Sequence, residues 1–150
     1  MDEQTTKIRY VTTADKPFWL KTDRHLSEHG FEQKVRDRQG YVITCSGAPV
    51  GILRYGLFWD SIPFCNMLYI DENFRRLGLG TKLMRFWEDE MRDLGCKIVM
   101  TSTQSDESAQ NFYRKSGYFD AGALLLSTAA LNQPTELFFI KELKNPCGKI

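Results

Sequence analysis

Residues 75–81, Arg-Arg-Leu-Gly-Leu-Gly-Thr, join a run that reads as a strand to one that reads as a helix. A turn of this kind leaves the first backbone N–H groups of the helix without intrahelical partners and aims them at one spot, with the positive end of the helix dipole behind them. That arrangement suits a phosphate. Gly78 and Gly80 let an anion come close to the backbone, and Arg75 and Arg76 stand at the lip as charged donors. Downstream, Ala109-Gln110-Asn111-Phe112-Tyr113-Arg114-Lys115-Ser116-Gly117-Tyr118 sets a tyrosine on a second helix that the same fold can bring near the first site. A phenol with an ordinary pKa of about 10 still holds its proton at neutral pH and can donate it. Asp60 is a candidate proton acceptor, and His25 is a base, a ligand contact or a surface residue.

Each of these residues also has a plainer reading. Taken alone, Arg-x-x-Gly-x-Gly is a glycine-rich turn before a surface helix. Positions 109, 112, 113 and 116 form one helical face, so Tyr113 reads equally as a core residue. Asp60, in Trp59-Asp60-Ser61, suits a turn. Two rival phosphate motifs are excluded by spacing. There is no third glycine of a dinucleotide fingerprint after Gly80, and Gly-Leu-Gly-Thr-Lys does not make a Walker A loop.

The elements that must position these residues follow from pattern. Residues 7–11 read as a strand, and Asp15-Lys16-Pro17 starts a helix with the proline in its first turn. Leu26, Phe31 and Val35 are spaced for one face of a helix, or a helix and loop, over 25–38. The β-rich runs 41–45 and 50–58 flank the turn signal Ser46-Gly47-Ala48-Pro49 and predict a hairpin. A strand over 62–70 follows, then a helix over 79–94 with Gly95 as its stop, and a strand over 97–101. A helix over 106–116 and closing strands over 118–127 and 136–143 complete the order.

The chain of 150 residues suits one domain able to bury a core without staples. A net charge of +1 gives no electrostatic case for a nucleic-acid or membrane partner. Cys45, Cys65, Cys96 and Cys147 form no CxxC pair and no metal-ligand spacing, so no metal site is expected. The polar N-terminus and the lack of a long apolar run point to a cytoplasmic protein with reduced thiols.

The two motif blocks resemble those of the GNAT superfamily of acyl-CoA-dependent N-acyltransferases. Arg75-x-x-Gly78-x-Gly80 is similar to its pyrophosphate signature, and Ala109-x-x-Phe112-Tyr113-x-Lys115-x-Gly117-Tyr118 to its second signature. The strand order, from Ile8 to Leu143, also resembles that of the family. The resemblance implies a mixed α/β, GNAT-like fold over residues 1–150 as a single domain. Its sheet would be mostly antiparallel, of about six to seven strands with a parallel splayed pair, flanked by about four helices.

The resemblance also implies acetyl-CoA as co-substrate and roles for the residues that match. Arg75, Arg76, Leu77, Gly78, Leu79, Gly80 and Thr81 would hold the pyrophosphate, and Leu68, Tyr69 and Ile70 would line the pantetheine arm. Asp106 stands where the family often has Asn for a pantetheine contact, and an ionised carboxylate accepts but does not donate. Asn111 would touch pantetheine or adenosine, and Tyr113 would protonate the departing thiolate. The expected activity is transfer of acetyl to a primary amine of a small molecule or peptide, by direct attack in a ternary complex. The alternative is a CoA-binding regulatory or interaction module without turnover. The acceptor is not named by the sequence, and a homodimer is compatible with it.

Overall fold

The structure, a computed structural model, describes residues 5–144; Cys147 and the first four residues lie outside that span. In chain order the strands are β1 (Thr6–Tyr10), β2 (Gly40–Cys45), β3 (Ala48–Phe58), β4 (Ile62–Ile70), β5 (Ile98–Gln104), β6 (Phe119–Leu124) and β7 (Glu136–Glu142). The helices are α1 (Lys16–Thr22), α2 (Glu28–Asp37), α3 (Leu79–Asp93) and α4 (Ala109–Lys115). The strands form a seven-stranded sheet in the order β1-β2-β3-β4-β5-β7-β6. The β1/β2, β2/β3, β5/β7 and β6/β7 pairs are antiparallel. The β4/β5 pair is parallel, at Phe64↔Met100 and Cys65↔Thr101. This is the mixed sheet with one parallel pair that the sequence predicts.

The chain divides into two compact units. One takes in the chain up to Gly56 together with Asn66–Trp87; the other takes in Leu57–Cys65 and the chain from Glu88 onward. In the first unit, Val11, Trp19, Phe31, Val42 and Ile52 make a buried cluster, with Phe18, Leu26 and Val35 packed against it. The apolar spacing of α2 therefore turns Phe31 inward. That helix begins at Ser27, whose hydroxyl accepts from the Gly30 N–H at 3.0 Å. It ends at Arg38, which takes the left-handed cap conformation, and Gly40 is the first residue of β2.

A buried ion pair ties α1 to β3. Asp23, fully buried after the last turn of α1, accepts from Arg54 Nε at 2.5 Å and Nη2 at 3.4 Å. It also accepts from Trp19 Nε1 at 3.3 Å and from the His25 N–H at 3.2 Å.

In the second unit, Val99, Met100 and Thr101 are buried in succession, so β5 is covered on both faces as its apolar run predicts. β5 runs to Gln104, three residues beyond the predicted end. α4 starts at Ala109 rather than at residue 106, because residues 105–108 form a turn held by Gln110 Nε2 on the Ser105 and Glu107 carbonyls. Glu88 accepts from the Tyr118 hydroxyl at 2.7 Å and from Lys141 Nζ at 2.8 Å. Lys141 Nζ also donates to the Ser116 carbonyl at 2.8 Å, which joins α3, β7 and the chain after α4.

Candidate active site

In the first unit the 75–81 turn is shaped by the end of β4. Ile70 is buried against Gly51, where an added Cβ would lie 2.6 Å from Ile70 Cδ1 and 2.8 Å from the Tyr69 carbonyl oxygen. Leu68 and Tyr69 are half-buried in β4. Asp71 accepts from the Asn73 N–H at 3.1 Å and starts a single 3-10 turn over Glu72–Phe74. Arg75 folds back from there: its Nε donates to the Ile70 carbonyl at 2.8 Å, and its guanidinium lies 5.5 Å over the Tyr69 ring. One donor of Arg75 thus braces the turn, a use the sequence did not predict.

Arg76 (φ 64°) and Gly78 (φ 77°) are both left-handed. For a residue bearing a Cβ that conformation costs on the order of 1 kcal/mol or more, and strain of this kind gathers at ligand sites. A Cβ on Gly78 would meet nothing within 4 Å, so the space over its backbone is open. Lys82 N–H bonds the Gly78 carbonyl at 3.0 Å as the first bond of α3. The N–H groups of residues 78–81 therefore lie outside the helix ladder. Leu77 is exposed, Leu79 is buried, and Gly80 and Thr81 are partly covered in the first turn. This is a cradle of N–H groups that fits a phosphate.

The second unit carries Tyr113. It is 6% exposed, with Phe112, Tyr118 and Phe139 at ring-centroid distances of 5.4, 5.8 and 5.9 Å. Burial pushes its pKa well above the ordinary phenol value, and the thiol of Cys65 adds to the rise. Thr101 pulls in the opposite direction. Tyr113 is therefore fully protonated throughout the physiological range. Asp106 is exposed in the turn before α4, and Asn111 is exposed in the first turn of α4.

Asp60 stands exposed in the β3–β4 hairpin. Trp59 (φ 53°) and Asp60 (φ 57°) are both left-handed, and Ser61 N–H closes the turn on the Phe58 carbonyl at 3.1 Å. Asp tolerates that conformation well, which accounts for its presence there. Asp60→Asn keeps the turn and removes the charge. The expected kcat/KM stays within roughly threefold, under 1 kcal/mol of transition-state stabilisation. A loss of about a hundredfold, with the fold intact by circular dichroism, would instead make Asp60 the base.

His25 is exposed at the end of α1. Phe58, Trp59 and Phe64 cluster, with the Trp59 ring 4.7 Å and the Phe64 ring 6.3 Å from that of Phe58. Tyr55 packs instead with Tyr41 and Trp87.

Three polar groups escaped the sequence reading. Asp23 and Glu88 had a weak signal, each being an acid on the apolar face of its helix, at i+4 from Trp19 and i+4 from Met84. Thr101 had none beyond its place in an apolar run.

A sequence model of the acetyltransferase (GNAT) family matches residues 6–118. The chain belongs to that family and is an acyltransferase. Its structure is similar to that of Ard1 from Thermoplasma volcanium, with a TM-score of 0.82 at 18% identity over 93% of this chain and 99% of that one. It is also similar to the ribosomal-protein-S18-alanine N-acetyltransferase of Escherichia coli, with a TM-score of 0.78 at 18% identity over 93% and 94% of the two chains. A GNAT family acetyltransferase from Elizabethkingia anophelis with acetyl-CoA bound gives 0.73 at 14% identity over 94% and 100%. At such identities the likeness is one of fold.

Among the described residues Cys45, Cys65 and Cys96 are not joined in disulfides, and no helix is long and apolar enough to cross a membrane.

Proposed function

We propose that the protein transfers the acetyl group of acetyl-CoA to a primary amine of a small molecule or peptide, by direct attack of the amine on the thioester in a ternary complex. The observation that carries this reading is the turn at residues 76–81: two left-handed residues, an open face on Gly78 and N–H groups outside the helix ladder. A surface turn has no need of that strain, whereas a pyrophosphate does.

In this reading the N–H groups of residues 78–81 hold the pyrophosphate, Arg76 adds a charged donor, and Leu68–Ile70 of β4 run beside the pantetheine arm. Asp106 and Asn111, both exposed, border that arm. Tyr113 is the acid that protonates the leaving thiolate. Asp60 finds less support as a base, because its turn already accounts for it. Water then takes the proton released by the amine nitrogen.

The test is a thiol-release assay with acetyl-CoA and a broad panel of small and peptide amines, run beside CoA-binding calorimetry. Turnover together with binding is the expected result. Binding without turnover for any amine would favour a regulatory CoA-binding module, and absence of both would overturn the reading.

Gly78→Val narrows the test to the turn. The open space over Gly78 has room for the side chain in the free protein, but the valine would stand where a phosphate must approach and would carry the strain of φ 77°. CoA affinity is expected to fall at least about tenfold, which is about 1.4 kcal/mol. Undiminished affinity in a folded variant would remove the pyrophosphate from this turn.

A further inference from the structure

The geometry points to Lys34 and Asn66 as the residues that select the acceptor: together they form a subsite for a carboxylate carried by the amine that receives the acetyl group. The inference rests on the reading of the protein as an acetyl-CoA-dependent N-acetyltransferase, and it narrows the acceptor to one chemical class.

The two side chains meet over Gly56, near the end of β3. A Cβ there would lie 3.3 Å from Asn66 Nδ2 and 3.7 Å from Lys34 Nζ. Among the described residues nothing else beyond the chain neighbours comes within 4 Å. Gly56 is not one of the left-handed glycines, so its backbone does not call for that residue. A glycine inside a strand weakens it and often marks a place where a ligand comes close to the backbone. Over this one lies a small space bordered by two nitrogen donors.

The ammonium lacks a counter-charge. Lys34 is half-buried on α2, and its Nζ donates to the Tyr55 carbonyl at 2.6 Å and to Gln39 Oε1 at 3.2 Å, both neutral acceptors. An ammonium carries three donor hydrogens, so one remains. Among the described residues no carboxylate pairs with it. Burial, and after it Arg54, hold the lysine's pKa below its ordinary value, and Asp37 opposes them. A half-buried cation in that state is unfavourable, and a bound anion would relieve it. Asn66 is exposed in β4, and its amide has no hydrogen-bond partner among the described residues. One positive charge and two donor nitrogens match a carboxylate, whose single negative charge is shared by two oxygens. A phosphate dianion would bring a second charge, and Arg54, the next cation, is already paired with Asp23.

The subsite also lies at the right end of β4. Pantetheine runs beside Leu68–Ile70 in the proposed binding mode, with its pyrophosphate end at residues 78–81. The thioester end of the arm therefore points back along the strand toward Asn66, which is about 13 Å from Ile70 at roughly 3.3 Å per residue. Met67 and Tyr69 pack against the same cluster as Phe31 of α2, which holds the helix and this part of β4 in one unit. An amine whose carboxylate rests between Lys34 and Asn66 is thus held beside the acetyl group.

The experiment measures thiol release from acetyl-CoA with matched pairs of amines that differ in carboxylate against carboxamide. One arm compares free α-amino acids with their amides. The other compares peptides bearing Asp or Glu next to a free N-terminus with peptides bearing Asn or Gln there. The readout is the ratio of kcat/KM within each pair, expressed per concentration of neutral amine. In the wild type the carboxylate member should be favoured about 10–100-fold, the worth of a hydrogen bond to a charged group, and the arm that shows it identifies the source of the carboxylate. Lys34→Gln removes the charge and should bring that ratio below about threefold. Asn66→Asp leaves both Lys34 bonds in place and sets a competing carboxylate beside the ammonium. It should erase the preference and raise KM for the carboxylate member at least about tenfold. Since Asn66 is exposed and unbonded, this variant decides the matter if thermal unfolding finds Lys34→Gln misfolded.

A wild-type ratio near one in both arms overturns the inference and leaves the acetyltransferase reading standing. So does an undiminished ratio in a folded Lys34→Gln or Asn66→Asp variant. Turnover with no amine at all overturns that reading and this inference with it.

Discussion

Tyr113→Phe is expected to lower kcat by about 10²–10⁴-fold while CoA affinity and thermal stability change little. The ring stays, and with it the contacts to Phe112, Tyr118 and Phe139 that place the side chain in the core of its unit. Only the hydroxyl goes. Its loss leaves Thr101 with its bond to the Cys65 carbonyl at 3.0 Å, so no buried donor is orphaned by the change. A cysteine thiol has an ordinary pKa of about 8.5 and simple alkyl thiols are weaker acids still, so a thiolate expelled into a water-poor site needs a proton from somewhere. A loss near the lower end of the range would mean that water substitutes as donor. The measurement is single-turnover thiol release, so that product release does not mask the chemical step. If Tyr113→Phe keeps the wild-type rate under those conditions, the residue is a core tyrosine, as its helical face alone suggests.

The second large effect concerns stability. Asp23→Asn should destabilise the protein by about 3–5 kcal/mol, because it leaves the Arg54 guanidinium buried without its counter-charge. The Arg54 side chain is 10% exposed and the Asp23 side chain 0%, so water cannot replace the lost partner. Trp19 Nε1 and the His25 N–H also depend on this carboxylate. For a chain of this size the loss corresponds to a fall in Tm on the order of 10 °C.

Replacing both members of the pair, as Asp23→Leu with Arg54→Met, should recover part of the loss, since a packed apolar pair is often as stable as a buried ion pair, while Trp19 Nε1 and the His25 N–H stay without their acceptor. Urea unfolding with an unchanged slope is the measurement. A single Asp23→Asn variant as stable as the wild type would show that the pair contributes nothing net.

The sequence alone determined the elements and the glycine-rich turn before α3. The predicted hairpin at 46–49 exists because Ser46 and Gly47 take the left-handed conformations that a two-residue turn needs, and small residues supply them. Helix α3 was legible because Leu83, Met84, Trp87 and Met91 recur on one face, and all are buried. The turn at residues 75–81 was legible because what shapes it is local: the glycines, the helix start and the N–H groups outside the helix ladder all lie within one stretch of chain.

The tertiary structure decided what depends on partners distant in sequence. Asp23 meets Arg54, Glu88 meets Tyr118 and Lys141, and Thr101 meets Cys65 only after the strands have paired. The sequence shows a polar residue in an apolar run, but not the group that makes its burial tolerable. Asp60 illustrates the converse. The sequence offered it as a turn residue and as a base, and the fold sets it exposed in a left-handed turn. Periodicity and turn chemistry are written in neighbouring residues and survive reading in one dimension. Hydrogen-bond partners, burial and the proton affinity of Tyr113 arise from chain segments brought together by folding, and they exist only in the folded protein.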